Sequence, residues 1–195
     1  MDPSLLLKVP GIALALPNEQ SEFFRLSRAD SAVRAMTDLR LSPVSTTLPD
    51  SSIEAALSKM KQAGVRFLFV IDADGGLLGS ITSHDIQGEK PLQFMQSTNG
   101  IRAWREILVQ YVMEPMSQWR VLDFRHLQTL TVGDVVTLLV QAGRRHLVVV
   151  ESAPNPSGKL VRGLFSASRI QHLLGISIDI EVRPTTFAEI ERLIA

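Results

Sequence analysis

The stretch Ser52–Val70, SIEAALSKMKQAGVRFLFV, recurs as Thr131–Val149, TVGDVVTLLVQAGRRHLVV, at an offset of 79 residues, and a fixed offset of this kind reveals architecture that composition cannot. Gln62-Ala63-Gly64 falls on Gln141-Ala142-Gly143, and Arg66 falls on Arg145. Each copy opens as a helix. Ile53, Ala56, Leu57 and Met60 in the first, like Val132, Val135, Val136 and Leu139 in the second, recur at i, i+3, i+4 and i+7 and form one apolar face. Ser51 with Glu54, and Thr131 with Asp134, have the spacing of a capping box at the helix start. Gly64 and Gly143 stand where a left-handed helix terminus favours glycine. The runs that follow, Phe67–Ile71 and His146–Val150, are β-rich and too apolar to alternate, so both faces of each strand should be buried.

Working outward, Asp74-Gly75-Gly76 is a turn signal leading to a second strand at Leu77–Thr82. Gly79-Ser80-Ile81-Thr82 has its counterpart in Gly163-Leu164-Phe165-Ser166, the offset having grown by five residues within the Pro, Asn, Ser and Gly-rich stretch Ser152–Lys159. Upstream, Ala32–Thr37 resembles Tyr111–Ser117 and sets Met36 against Met116, both read as core gap-fillers. Gln87–Gly100 reads as the connection between copies, with a helix resuming over Arg102–Val112 and Trp104 and Trp119 packing that helix and its exit. Ser177–Val182 alternates like a short edge strand, Pro184 stops it, and Thr186 with Glu189 caps a last helix, a tail suited to a flank or dimer contact. At the other end, Ser4–Leu16 is apolar, but Asp2 precedes it and Lys8 and Pro10 interrupt it. It reads as structure packing on the body rather than a signal sequence, and it is shorter than the roughly 20 residues of a membrane span.

Composition narrows the function classes. A chain of 195 residues with 45% hydrophobic content builds its own core without staples. Twenty Lys plus Arg balance twenty Asp plus Glu, which removes the positive field that nucleic-acid backbones require. Zero cysteines exclude disulfides and thiol chemistry and fit a reducing cytoplasm. His84, His126, His146 and His172 show no metal-ligand spacing. No Gly-x-Ser-x-Gly elbow, Walker loop or His-Glu-x-x-His is present, so the reading is a non-enzyme. Exposed helices and the apolar tail predict a homodimer.

Met36-Thr37-Asp38, Val44 with Pro49, Asp72, and GSITSHD over Gly79–Asp85, followed by VMEPMS over Val112–Ser117 and GLFSASR over Gly163–Arg169, resemble the CBS domain, the regulatory module of cystathionine β-synthase. The resemblance covers roughly Ser31–Gly175. It departs at Arg169, where the second copy lacks the aspartate, and at Phe69 and Val148, where many members carry proline. It implies an α+β fold: two tandem βαββα repeats packed sheet to sheet as a pseudo-two-fold pair, with flanking segments. The divisions are 1–30, 31–100, 101–176 and 177–195.

By the same resemblance, the protein is a stand-alone regulatory module sensing an adenosyl compound (AMP, ADP, ATP or S-adenosylmethionine) in the cleft between repeats, with no required cofactor and an unknown effector protein. Asp85 would accept ribose hydroxyls and Thr82 would meet a phosphate. His84 lies in the same loop, Ser166 answers Thr82 in the second copy, and Val44 to Thr46 with Arg66, Phe67 and Leu68 would line the adenine pocket. Arg169, with donors only, would leave one principal site per chain. From the residues alone, Asp85 is also a cap for the next helix, and Arg66 and Arg145 are also suited to snorkel or pair with carboxylates. The alternative function is a ligand-independent dimerisation scaffold.

Overall fold

The structure is a computed structural model that describes residues 25–97, 103–153 and 158–180. The first repeat runs through β1 (Thr37–Asp38), β2 (Thr46–Thr47), α1 (Ile53–Ala63), β3 (Phe67–Ile71), β4 (Leu77–Thr82), α2 (Ser83–Gln87) and α3 (Lys90–Ser97). The second runs through α4 (Val109–Val112), β5 (Glu114–Pro115), β6 (Val121–Asp123), α5 (Phe124–Leu127), α6 (Val132–Ala142), β7 (His146–Ser152), β8 (Lys159–Ser166) and α7 (Ala167–Leu174).

The helix termini follow from local chemistry, with one correction. α1 is capped by Ser52, whose hydroxyl accepts from the Ala55 amide at 3.1 Å, and not by the expected Ser51–Glu54 box. Ser52 is the residue that the 79-residue offset sets on Thr131. Thr131 does form a box: Asp134 accepts from its amide at 2.8 Å, and its hydroxyl accepts from the Asp134 amide at 3.2 Å. Gly64 and Gly143 close the two helices at φ 65 and 62, the left-handed region where a side chain would be strained. In the β3–β4 turn, one carboxylate oxygen of Asp72 accepts the amides of Asp74 and Gly76 at 3.0 and 2.6 Å.

Strand order shows what the repeat alone does not: the two sheets are β2-β3-β4-β5 and β6-β7-β8-β1, so each copy lends its short lead-in strand to the other copy's sheet. β1 pairs antiparallel with β8 (Thr37 opposite Leu164), and β5 pairs antiparallel with β4 (Glu114 opposite Ser80). The turns before these strands are exchanged as well. Ser31 bridges Thr131 and Leu108 bridges Ser52. The Ile53 amide donates to Ile107 O at 3.0 Å, and the Val132 amide donates to Asp30 O at 2.8 Å. Each lead-in thus supplies acceptors to the first turn of the other repeat's long helix, where amides lack intrahelical partners. This register sets Met36 against Met113 rather than Met116. Met36 is buried, whereas Met116 is 50% exposed and is no core filler.

The structure departs from expectation at three other places, the first of them a result of the exchange. The helix expected over Arg102–Val112 is, within the described residues, a 3-10 turn at Trp104–Glu106 and the single turn of α4. Between them Ile107 and Leu108 are extended to meet α1. The Gln87–Gly100 connection contains α3: Pro91 sits in its first turn, where no intrahelical donor is lost, and Phe94 and Met95 pack on the first repeat's core. In the tail, Ser177–Ile180 joins no ladder; Ile178 and Ile180 instead point into the second repeat's core, and the Ile178 carbonyl accepts from Gln171 at 3.0 Å. The Ser4–Leu16 segment, the Thr186–Glu189 cap with its helix, and most of the inserted stretch within Ser152–Lys159 lie outside the described residues.

The layers follow from strand alternation. Phe67, Phe69, Val148 and Val150 face the opposite sheet and form the seam between repeats, while Leu68 and Val70, like Leu147 and Val149, face the helices. Both faces of β3 and β7 are therefore buried, as their apolar runs require. Phe69 and Val148, the departures from proline, fill the seam; Phe69 meets Phe67 edge to face at 4.9 Å.

The exchanged strands crowd two glycines. A Cβ on Gly79 would collide with the Glu114 carbonyl oxygen and sit 3.0 Å from Pro115 Cα, which is backbone and cannot yield. A Cβ on Gly163 would press on the Met36 side chain, which can turn aside, and come within 2.9 Å of Thr37 O. Gly79→Ala should lower stability by about 3 kcal/mol and Gly163→Ala by about 1–2 kcal/mol, each read as a lower urea midpoint at unchanged m. Urea unfolding of both variants checks this, and two small, equal effects would contradict the close approach.

Candidate functional site

A cleft of about 880 Å³ opens between the repeats, lined by residues of both. Its position follows from the strand ends. β4 and β8 each turn directly into a helix, and each turn is tied back to the strand before it: the Ser83 amide donates to Arg66 O at 3.0 Å, and the Ala167 amide to Arg145 O at 2.9 Å. The two turns, Thr82–Asp85 and Ser166–Ser168, thus stand on the rim with Arg66 and Arg145 beside them. The floor is apolar and aromatic: Phe67, Val148, Trp119 and the ring of His146, which lies 5.0 Å from Phe67 at 50°.

On the first rim, Thr82 and Asp85 form a capping box on α2. Asp85 Oδ2 accepts from the Thr82 amide at 2.8 Å and from its hydroxyl at 2.6 Å, and Thr82 Oγ1 accepts from the Asp85 amide at 3.2 Å. Oδ1 takes the ammonium of Lys90 at 2.6 Å. Both carboxylate oxygens are therefore engaged within the chain. The second rim has no such lock: Ser166 caps nothing with its side chain and lies 2.8 Å from the Ser168 hydroxyl.

Charge gathers here in a chain whose formal net charge is zero. Five cationic side chains (Arg66, Lys90, Arg120, Arg144 and Arg145) line the cleft, against the carboxylates of Asp85, Glu89 and Glu114. Lys90 pairs with Asp85 and Arg144 with Glu114. Arg66, Arg120 and Arg145 have no carboxylate partner among the described residues. His146 adds no charge near neutral pH. Burial pushes its imidazole down from 6.5 to about 4, with Arg145 and Arg66 pushing the same way and Asp85 opposing.

Of the residues singled out from sequence, Thr82, His84, Asp85, Arg66, Phe67 and Ser166 lie on this one cleft. Leu68 turns its side chain into the core beneath α1, because strand alternation points it away from Phe67. Thr46 pairs in register with Phe69, and neither it nor the half-exposed Val44 is among the cleft's lining residues. Arg169 is exposed and also lies off the lining. Sequence reasoning passed over Trp119, Arg120, Lys90, Arg144 and His146 as cleft residues. The 79-residue offset holds no signal for the first two; the strand registers do, since Thr46 opposes Phe69 as Val121 opposes Val148, which makes Trp119 and Arg120 the second copy's counterparts of Val44 and Ser45.

A depressed histidine has a definite pH signature. Between pH 6.5 and about 4 the unfolded chain takes a proton that the folded His146 refuses, so stability falls as pH falls through that window and is fully present above it. Urea midpoints measured across this range should decline for the wild type and flatten for His146→Gln. A His146 ring resonance that titrates near pH 6.5 would contradict burial as the cause.

Comparison with known proteins bears on the whole arrangement. The CBS domain model matches residues 32–89. No curated protein matches the chain. An uncharacterised conserved protein from Pyrococcus horikoshii aligns at TM-score 0.54 and 18% identity, over 79% of this chain and 98% of its own. A CBS-domain-containing protein from Agrobacterium tumefaciens aligns at TM-score 0.50 and 20% identity, over 71% and 93%. CBSX2 in complex with AMP, a CBS-pair protein whose other structure is from Arabidopsis thaliana, aligns more loosely, at TM-score 0.48 and 20% identity over 73% and 94%. At these identities the likeness is one of fold. The second repeat reproduces the side-chain cap of the long helix, the parallel and antiparallel ladders and the exchanged lead-in of the first. Residues 32–89 match the CBS domain by sequence, and the chain shares its overall fold with the Pyrococcus and Agrobacterium structures.

Proposed function

We propose that the cleft binds a phosphate-bearing adenosyl compound and that the protein is a regulatory module rather than an enzyme, passing occupancy to an effector through the packing of a homodimer. The observation that carries this is the set of three guanidiniums, Arg66, Arg120 and Arg145, that have no carboxylate partner among the described residues and surround an aromatic floor. A flat base stacks on Phe67, His146 and Trp119 and needs no hydrogen-bond code to do so. Guanidiniums are the side chains best shaped for phosphate oxygens. The Thr82–Asp85 turn supplies a hydroxyl and a carboxylate acceptor for ribose and phosphate at the rim. The excess of cations over carboxylates on the lining favours AMP, ADP or ATP over S-adenosylmethionine, whose sulfonium adds positive charge. The alternative, a ligand-independent scaffold, draws support from Asp85, whose oxygens are already engaged by Thr82 and Lys90. For dimerisation the second repeat offers Leu138 and Val140 on α6 and Ile176 beyond α7, partly exposed. Among the described residues no helix is long and apolar enough to cross a membrane, and the cysteine-free composition fits the cytoplasm.

A thermal-shift panel of AMP, ADP, ATP and S-adenosylmethionine separates these readings. A ligand at 100 times its dissociation constant adds about 2.7 kcal/mol, a rise of roughly 5–10 °C at this chain length. Arg66→Ala with Arg145→Ala should weaken the responding nucleotide by about tenfold to a hundredfold, and Asp85→Ala should do likewise. No shift from any of them identifies the scaffold, and turnover of a nucleotide would revive an enzyme. Sedimentation that shows only a 21.5 kDa species at micromolar concentration would defeat the homodimer.

A further inference from the structure

We infer that Lys90 is the cleft's internal occupant: its ammonium holds the position on Asp85 that a ribose hydroxyl takes, so that a nucleotide enters by exchange with Lys90, and the exchange favours nucleotides over nucleosides. This rests on the nucleotide reading of the cleft. The geometry assigns the roles. The two bonds from Thr82 to Asp85 Oδ2 are local and cap α2, so they persist as long as that helix does. Lys90 is the remaining donor, 2.6 Å from Oδ1, and the pair is well shielded, with side-chain exposures of 22% for Lys90 and 14% for Asp85. It is also the donor able to leave, since it rides on a flexible four-carbon stem at the first turn of α3, joined to α2 through Gly88 and Glu89.

Charge accounting makes the exchange selective. A nucleoside that takes Oδ1 replaces an ammonium by a hydroxyl and leaves Lys90 in a cleft already lined by Arg66, Arg120 and Arg145, which have no carboxylate partner among the described residues. A nucleotide brings phosphate oxygens that give the displaced ammonium a new partner within the same cleft. Displacement also has a route to the opposite wall. Phe94 of α3 stacks on Tyr111 of α4 at 4.4 Å and 14°. α4 leads into β5, whose Glu114 holds Arg144 across the cleft.

The test is calorimetric titration of adenosine and ATP into the full chain and into Lys90→Met and Lys90→Arg, with circular dichroism as the check on folding. Lys90→Met should bind adenosine about tenfold more tightly and ATP about tenfold more weakly, collapsing the preference of the wild type, while Lys90→Arg retains it. Lys90→Gln, neutral and polar, gives the same contrast should the methionine variant not fold. Adenosine affinity that is unchanged or weakened in both neutral variants overturns Lys90 as an occupant while leaving nucleotide binding intact. A wild type and variants that bind neither adenosine nor ATP overturn the nucleotide reading itself.

Discussion

The rest of the structure depends on the crossing of the two lead-in segments. Neither repeat completes itself: the first amide of each long helix is satisfied by a carbonyl of the other lead-in, and each sheet takes its outer strand from the other repeat. Buried amides without acceptors are costly, so these bonds fix the orientation of the repeats more sharply than the apolar seam does. The seam of Phe67, Phe69, Val148 and Val150 supplies non-directional attraction; the crossing supplies register. Gly79 and Gly163 are the steric condition of that crossing, and the ion pairs of Arg162 with Asp38 and Glu151 tether β1 at its end of the second sheet.

The cleft inherits its character from this arrangement. Because the repeats are related by a pseudo-two-fold, the equivalent residues Arg66 and Arg145 reach one opening from opposite sides, and a chain with no formal net charge concentrates cations at one place. The two rims have nevertheless diverged. Asp85 closes a capping box and holds Lys90, whereas Arg169, its counterpart by repeat position, is exposed and lies off the lining. Two copies of one turn thus give one rim with a charged lock and one without.

The 79-residue repeat made the long helices, the central strands and their hairpins legible, since apolar periodicity, caps and glycine termini are all local signals. What escaped were elements defined by distant partners. β1 and β5 are two residues long, too short for any periodicity, and they exist only because Gly163 and Gly79 receive them. Sequence similarity alone sets Met116 against Met36, whereas the pairing of Glu114 with Ser80 makes Met113 the counterpart. In the cleft, Thr82 and Asp85 were legible from their motif, but Trp119 and Arg120 were not. Their kinship to Val44 and Ser45 appears only in the parallel registers of β2 and β6. Lys90 was hidden inside a stretch read as a connection, because Pro91 looks like a helix breaker until it is placed in a first turn.

The crossing also orders events in time. The sheet β2-β3-β4-β5 draws on residues 46–115, so it can close once the chain through Pro115 is available. β1, near the start of the described chain, has no sheet to join until β8 exists, and its pairing of Thr37 with Leu164 spans most of the fold. During synthesis Leu26, Ala32, Ala35 and Met36 therefore wait without their final cover until the second repeat is made. The earliest part of the first repeat is among the last to be buried, and that interval is when the nascent chain is most open to chaperones or to pairing with another copy of itself.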